Sequence, residues 1–230
     1  MSNVTYEYIR RNKDIQTYIN YADAVLSTIG YTEHSNAHVE RAAAVAFEIL
    51  DTLGYDARTC ELAQIAAYMH DIGNVINRID HAQSGAVMAF RLLDNMGMPA
   101  EEIAQIVSAI GNHDENTAKP VTPIAAALIL ADKSDVRRSR VRAKDGSAFV
   151  PSSENLARDI HDRVNYAAKS SRLAFSDDKK ELVLFLEIDA AISPVMDYFE
   201  IFLTRMDLCR AAAGFLGLRF GLVINNSRIL

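Results

Sequence analysis

Much that would point to a standard function is missing from this sequence. Of its 230 residues two are cysteines. Cys60 and Cys209 lie in apolar, helix-like surroundings with no metal-type spacing, which argues against a disulfide framework and fits a reducing, cytoplasmic compartment. There is no excess of basic charge: the net charge is −6 and the pI about 5.5. No global field therefore draws nucleic acid or an anionic membrane. Long apolar runs are also lacking, and a stretch such as Ile124 to Ala131 is far too short to span a bilayer. Met1-Ser2-Asn3 leads into polar, tyrosine-bearing sequence rather than a secretory apolar core. No Gly-x-Ser-x-Gly elbow occurs, and neither cysteine has an activating neighbourhood, so no protein nucleophile announces itself. With half the residues hydrophobic and 23% charged, the length implies one domain, or one plus a small appendage, able to bury its own core.

What is present is mostly helical pattern. His38 to Leu53 carries Val39, Ala42, Ala43, Ala46, Ile49 and Leu50 at helical spacing, closed by Gly54. Asp56 can cap a second helix whose stripe of Leu62, Ile65, Ala66 and Met69 runs into His70 and stops at Gly73. Further helices are predicted for Ala82 to Met96, Ala100 to Ile110, Pro123 through Asp132 and Glu154 to Lys169, with an amphipathic one from Ile15 to Ile29 ahead of them all. Near residue 171 the pattern changes. Arg172 to Ser176 and Glu181 to Ile188 read as strands around a polar turn, Ser193-Pro194 opens an apolar helix ending near Gly217, and Arg219 to Ile224 reads as a third strand. The expected fold class is mostly α: a helical domain over 1–170 and a small β-β-α-β subdomain over 171–230 packed on it. The apolar helix of the subdomain is a candidate homodimer surface.

Against this background the histidines and aspartates stand out. His70 and Asp71 are adjacent where a glycine ends a helix, so an imidazole and a carboxylate can turn toward one cation. The dipeptide alone is cheap, and His113-Asp114 and His161-Asp162 repeat it. The first copy differs in its company: His38 upstream, and His81, His113 and Asp132 downstream. Asp132 lies within the apolar run Ile129-Leu130-Ala131, where a buried carboxylate must find a partner. Imidazole and carboxylate donors without thiolate suit a divalent ion such as Fe, Mn, Zn, Co or Ni, with Mg a further option. His38, His70, Asp71 and Asp132 supply four donors for one ion; His81 and His113 could hold a second, with Asp71 bridging. Two ions about 3.5–4 Å apart would clamp a phosphoryl group and activate a water. His34 precedes His38 by one helical turn, so either could face the metal.

The series resembles the HD-domain metal-dependent phosphohydrolases, from about Tyr31 to Asp135. His38-Val39-Glu40-Arg41-Ala42 is similar to that family's first-ligand helix, His70-Asp71-Ile72-Gly73 to its central motif, and Leu130-Ala131-Asp132-Lys133 to its last. The resemblance implies an HD helical bundle with His38 as ligand, His34 behind it, and His81 and His113 as the extra histidines of the dinuclear branch. It implies hydrolysis of a nucleotide or other small phosphoester by metal-activated water; Asp71, Lys133 and Asp114 are the candidate catalytic residues. Lys133, Arg137, Arg138 and Asn74 are the candidate substrate contacts, Arg being suited to bidentate phosphate binding. Asn74 departs from the pattern: many dinuclear members have Lys there, and a related di-iron oxygenase branch has His. The Glu-Asp pair of guanosine-tetraphosphate hydrolases and the Gly-Tyr-Pro signature of cyclic-di-GMP phosphodiesterases are both absent. A mixed-valent oxygenase on the same ligands and a non-catalytic nucleotide-binding regulator are the alternatives. His161-Asp162-Arg163 has no matching ligand series and reads as surface structure, although a helix folding back over the site could bring His161 or Arg163 near substrate.

Overall fold

A computed structural model describes residues 4–115, 117–143, 149–152, 155–156 and 160–230. Its helices begin where the chain offers caps. Helix α1 (Tyr6–Arg11) starts at Thr5, and α2 (Lys13–Thr28) follows Asn12, whose side chain accepts from the amides of Asp14 and Ile15. Helix α3 (Asn36–Thr52) is capped by Ser35, and α4 (Ala57–Met69) by Asp56. Next come α5 (His81–Asn95), α6 (Ala100–Gly111) and α7 (Pro123–Lys133). The last has proline in its first turn and Thr122 accepting from Ala125 N at 3.0 Å. Helix α2 buries one stripe, Ile15, Ile19, Ala22 and Leu26, as a peripheral helix does. Helix α7 differs in kind. Every residue from Ile124 to Lys133 is buried, so it runs through the centre of the bundle, packed against α3, α4 and α6.

After α8 (Ile160–Ala167) the chain forms β1 (Ala168–Phe175), β2 (Glu181–Ile188), α9 (Val195–Phe215), β3 (Arg219–Ile224) and β4 (Ser227–Arg228). The sheet order is β1-β2-β3-β4. The β1–β2 and β3–β4 pairs are antiparallel, while β2 and β3 run parallel through the α9 crossover. Helix α9 lays Tyr198, Phe202, Met206 and Cys209 inward and contacts α7. The sheet is tied to the bundle by Arg41 Nη2 donating to the Ser171 carbonyl at 2.7 Å and by the Ser171 hydroxyl donating to the Ser134 carbonyl. Among the described residues no helix is long and apolar enough to cross a membrane.

The structure agrees with the expected mostly helical class and adds detail at the edges. The predicted helix ending at Lys169 stops at Ala167, and β1 starts there instead of at Arg172. Pairing of Ser170 and Ser171 with Glu187 and Leu186 of β2 outweighs their weak intrinsic strand preference. Glu154 lies outside the described residues. The expected three-stranded unit has a fourth strand, because Asn225 and Asn226 adopt positive φ (48° and 64°) and turn the chain back on itself. Helix α1 was not foreseen.

Candidate metal centre

Each candidate ligand sits at a helix end, where the backbone can aim a side chain inward. His38 is in the first turn of α3, and His70 is the C-cap of α4. Asp71 leads into a 3-10 turn, Ile72–Val75. His81 opens α5, His113 follows the C-cap of α6, and Asp132 is in the last turn of α7. Gly73 explains why the His70-Asp71 corner is so tight. A Cβ there would overlap the backbone of His81 and of Gly85, so only glycine lets the 3-10 turn rest directly on the start of α5. That contact sets the position of His81 relative to Asp71.

All six side chains are buried. His70 Nε2 lies 3.1 Å from Asp71 Oδ2, and His38 Nε2 lies 3.2 Å from Asp132 Oδ1 and 3.8 Å from Asp71 Oδ2. The other Asp71 oxygen, Oδ1, is 3.5 Å from His81 Nε2 and 3.9 Å from His113 Nε2. Three trios of donor atoms fall within 4.8 Å of one another: His38, His70 and Asp71; His70, His113 and Asp132; Asp71, His81 and His113. Asp71 therefore belongs to clusters on both of its faces.

The ring orientations test whether a metal fits. In each histidine Nδ1 faces an oxygen acceptor: Asp135 Oδ2 at 2.8 Å for His38, and the carbonyls of Ala67 (2.7 Å), Arg78 (3.0 Å) and Ile110 (2.6 Å) for His70, His81 and His113. An acceptor at Nδ1 places the proton there and leaves Nε2 with the lone pair, the arrangement expected of metal-binding histidines. Nε2 of His38 and of His70 is buried with no hydrogen-bond partner despite the nearby carboxylates. Lone pairs from imidazoles and carboxylates converging in a buried space fit a divalent cation. Burial resists charge on His70, Asp71, His81, His113 and Asp132. It prevails at His113 and His81, whose imidazoles are held below their usual pKa. At His70 burial is outweighed, with no ion bound, by Asp71 and Asp132, which raise the pKa to about 10, so an ion taken up at Nε2 displaces a proton. At Asp71 and Asp132 it is outweighed by the neighbouring histidines and by Lys133, so both carboxyls stay well below their usual range.

The cluster opens into a cavity of about 520 Å³. Asp71, His81, His113 and Asp132 form one side, with Lys133 and Asp114 beside them; His34, expected behind His38, lines the cavity as well. Lys133 Nζ is 2.6 Å from Asp132 Oδ2 and 3.9 Å from Glu115 Oε1. His34 points its Nδ1 at the Thr32 carbonyl (2.6 Å), and burial holds its imidazole well below its usual pKa. His161 also lines the cavity, so α8 does fold back over the site, whereas Arg163 is engaged with Asp197 at 3.1 Å.

Three expected substrate contacts sit elsewhere. Asn74 is fully buried behind the cluster, donating to Asp71 Oδ1 and to the Asp71 carbonyl, both at 2.9 Å. It orients Asp71 and is not among the residues lining the cavity. Arg137 grips Asp135 through Nε at 2.5 Å and Nη2 at 2.9 Å. Arg138 donates to the Tyr166 carbonyl at 2.6 Å and stacks on the Tyr166 ring. The cations that do face the cavity are Arg78, Lys133, Arg140 and Arg205, with Tyr31 and Phe202 as aromatic walls. Arg205 donates to Glu115 Oε1 at 2.7 Å and lies over the Phe202 ring at 4.2 Å. Sequence reasoning also missed Asp135, which is buried among Arg41, Arg137 and Arg140 and holds His38 in place. Its position three residues after Asp132 was the available signal. For Arg205 there was none, because only the tertiary fold brings α9 to the site.

A helical bundle with histidine and aspartate donors at its helix ends defines a metal-binding class of domain. Residues 37–137 match the HD domain family. The chain is also similar to the crystal structure of a predicted HD superfamily hydrolase from an uncultured Thermotogales bacterium. The identity is 26%, over 54% of this chain and 68% of that one, with a TM-score of 0.43. No curated protein matches the chain.

Proposed function

We propose that the protein is a metal-dependent phosphohydrolase acting on a small phosphoester, with nucleotides the leading candidates. The observation that carries this reading is the union of an imidazole–carboxylate cluster with a cation-lined cavity. His38, His70, Asp71 and Asp132 would hold one divalent ion, and His81 and His113 with the second face of Asp71 would hold another. Ions bound by these donors supply Lewis acidity toward the phosphoryl group and lower the pKa of a water. Lys133 and Arg205, joined through Glu115, are placed to bind the anionic oxygens and to stabilise the charge that builds up during in-line displacement. Asp114 lines the cavity 3.9 Å from His81 Nε2, in position to relay a proton to the leaving oxygen. His34, kept neutral by burial with Nδ1 turned to the Thr32 carbonyl, offers its Nε2 as a hydrogen-bond acceptor in the same cavity.

The test is to quantify metal in protein purified without chelators and to assay a phosphoester panel with wild type and Asp71→Ala. Stoichiometric metal and hydrolysis that is lost in Asp71→Ala are expected. A protein that binds no metal and stays inert after reconstitution with Mn, Fe, Zn, Co, Ni and Mg would sink the proposal. The same six donors also suit a di-iron oxygenase; bound iron with a mixed-valent paramagnetic signal, and oxygen uptake in place of hydrolysis, would select that reading. Saturable nucleotide binding with no product would select a regulator.

A further inference from the structure

The donors on the two faces of Asp71 are not equally free. Asp71 Oδ1 accepts from Asn74 Nδ2, but a carboxylate oxygen has two lone pairs and can take a hydrogen bond and an ion together. His81 has no such reserve. Its Nδ1 donates to the Arg78 carbonyl at 3.0 Å, so Nε2 carries the one lone pair of the ring. Arg78 Nη1 lies 3.3 Å from that Nε2, in position to donate into it. The guanidinium is steadied from two more sides: Nη1 also reaches Asn74 Oδ1 at 3.4 Å, and Cζ lies 5.3 Å from the centroid of the Tyr31 ring. The contrast is with His38 and His70, whose buried Nε2 atoms have no hydrogen-bond partner.

From this asymmetry we infer that Arg78 and a divalent ion compete for the His81 Nε2 lone pair, so that the centre loads in order: a tight ion at His38, His70, Asp71 and Asp132, then an exchangeable ion at Asp71, His81 and His113. The inference rests on the two-ion reading above and adds a gate to it. A guanidinium stays protonated and cannot itself ligate, so the second ion enters only as Arg78 turns off the imidazole. Arg78 lines the cavity, where a displaced guanidinium still faces the space an anionic substrate would fill.

The test is calorimetric titration of the chelator-treated full chain with Mn²⁺ alone. Wild type is expected to show two classes of site, and His81→Ala only the tighter one. Arg78→Ala should tighten the second class about tenfold, the value of one hydrogen bond from a charged donor, and leave the first unchanged. A thermal melt confirms that the variant, altered at a partly exposed position, is folded. The imidazole ¹⁵N signal of His81 Nε2 should also move in metal-free Arg78→Ala while that of His38 stays. An unchanged second affinity, an unmoved His81 signal, or one class of site in both wild type and Arg78→Ala would overturn the inference. So would parallel tightening of both classes, which marks a through-space charge effect. None of these readouts needs turnover, so an inert enzyme with ordered, Arg78-dependent loading would reject the proposed reaction and keep the gate.

Discussion

The helical body and the C-terminal unit treat polar residues in opposite ways. From α3 to Asp135, just past α7, the body buries His38, His70, Asp71, Asn74, His81, His113, Asp132, Lys133 and Asp135. The C-terminal unit keeps most of its charge at the surface, in pairs such as Arg210 with Asp207 and Lys169 with Asp189. Surface pairs cost little and contribute little. Buried ionisable groups are costly wherever a partner is missing, and apolar residues would stabilise the bundle at least as well. The body thus keeps an arrangement that stability alone does not explain, and the cluster it forms is a site. The C-terminal unit supplies the opposite service: an ordinary apolar core that delivers two side chains, Phe202 and Arg205, to the cavity wall.

That division can be probed with one substitution on each side. On the body side, Asp135→Asn keeps the shape of the side chain but removes the charge that steadies the His38 imidazole. Metal affinity is expected to fall about 10- to 100-fold, the usual consequence of losing a partner behind a ligand. Competition against a fluorescent chelator measures it, with a melt to separate a weakened ligand from a loosened fold, since Asp135 also neutralises Arg41 and Arg137. Unchanged affinity would mean that His38 needs no such support. On the C-terminal side, Arg205→Ala should leave metal content intact and raise KM for a phosphoester by roughly tenfold, the value of one charge-assisted hydrogen bond. Should metal be lost as well, α9 would prove to be part of the metal centre and the division of labour would fail.

The two regions also differ in how far they can be read without a structure. In the body, the helix period, the caps Asp56 and Thr122 and the glycine at 73 are local signals, and they carry the ligands because each ligand sits next to a helix end. The ligand series was legible for that reason. The wall of the cavity was not. Arg137 and Arg138 follow Asp132 closely in sequence, yet the chain turns away after α7, and both face Asp135 or Tyr166 instead. Arg78 and Arg205 reach the cavity through packing of α2 on the 3-10 turn and of α9 on α7, contacts that no local pattern encodes. Asn74 was placed near the chemistry, but its amide turns toward Asp71, a choice made by the tight corner at Gly73.

The smallest effect tests whether the regions open separately, and each carries one cysteine to report on it. Cys60 in α4 is buried and donates to the Tyr55 carbonyl, and burial raises its pKa. Cys209 in α9 is buried too, and burial lifts its thiol to about 12. Neither should react with a thiol reagent in the folded protein at pH 8, since the thiolate is the nucleophile. The sign of the pH effect follows from the raised value. The unfolded chain loses the Cys209 proton near its ordinary pKa of about 8.5, while the folded chain keeps it. The stability this supplies is complete below that pH and is lost as pH rises toward 12. In a urea series at pH 8, both cysteines should become reactive at one midpoint, because α9 is packed on α7 and the Ser171 contacts join β1 to the bundle. If Cys209 reacts at a clearly lower urea concentration than Cys60, the C-terminal unit opens by itself, and Arg205 would then sit on a segment able to leave the site.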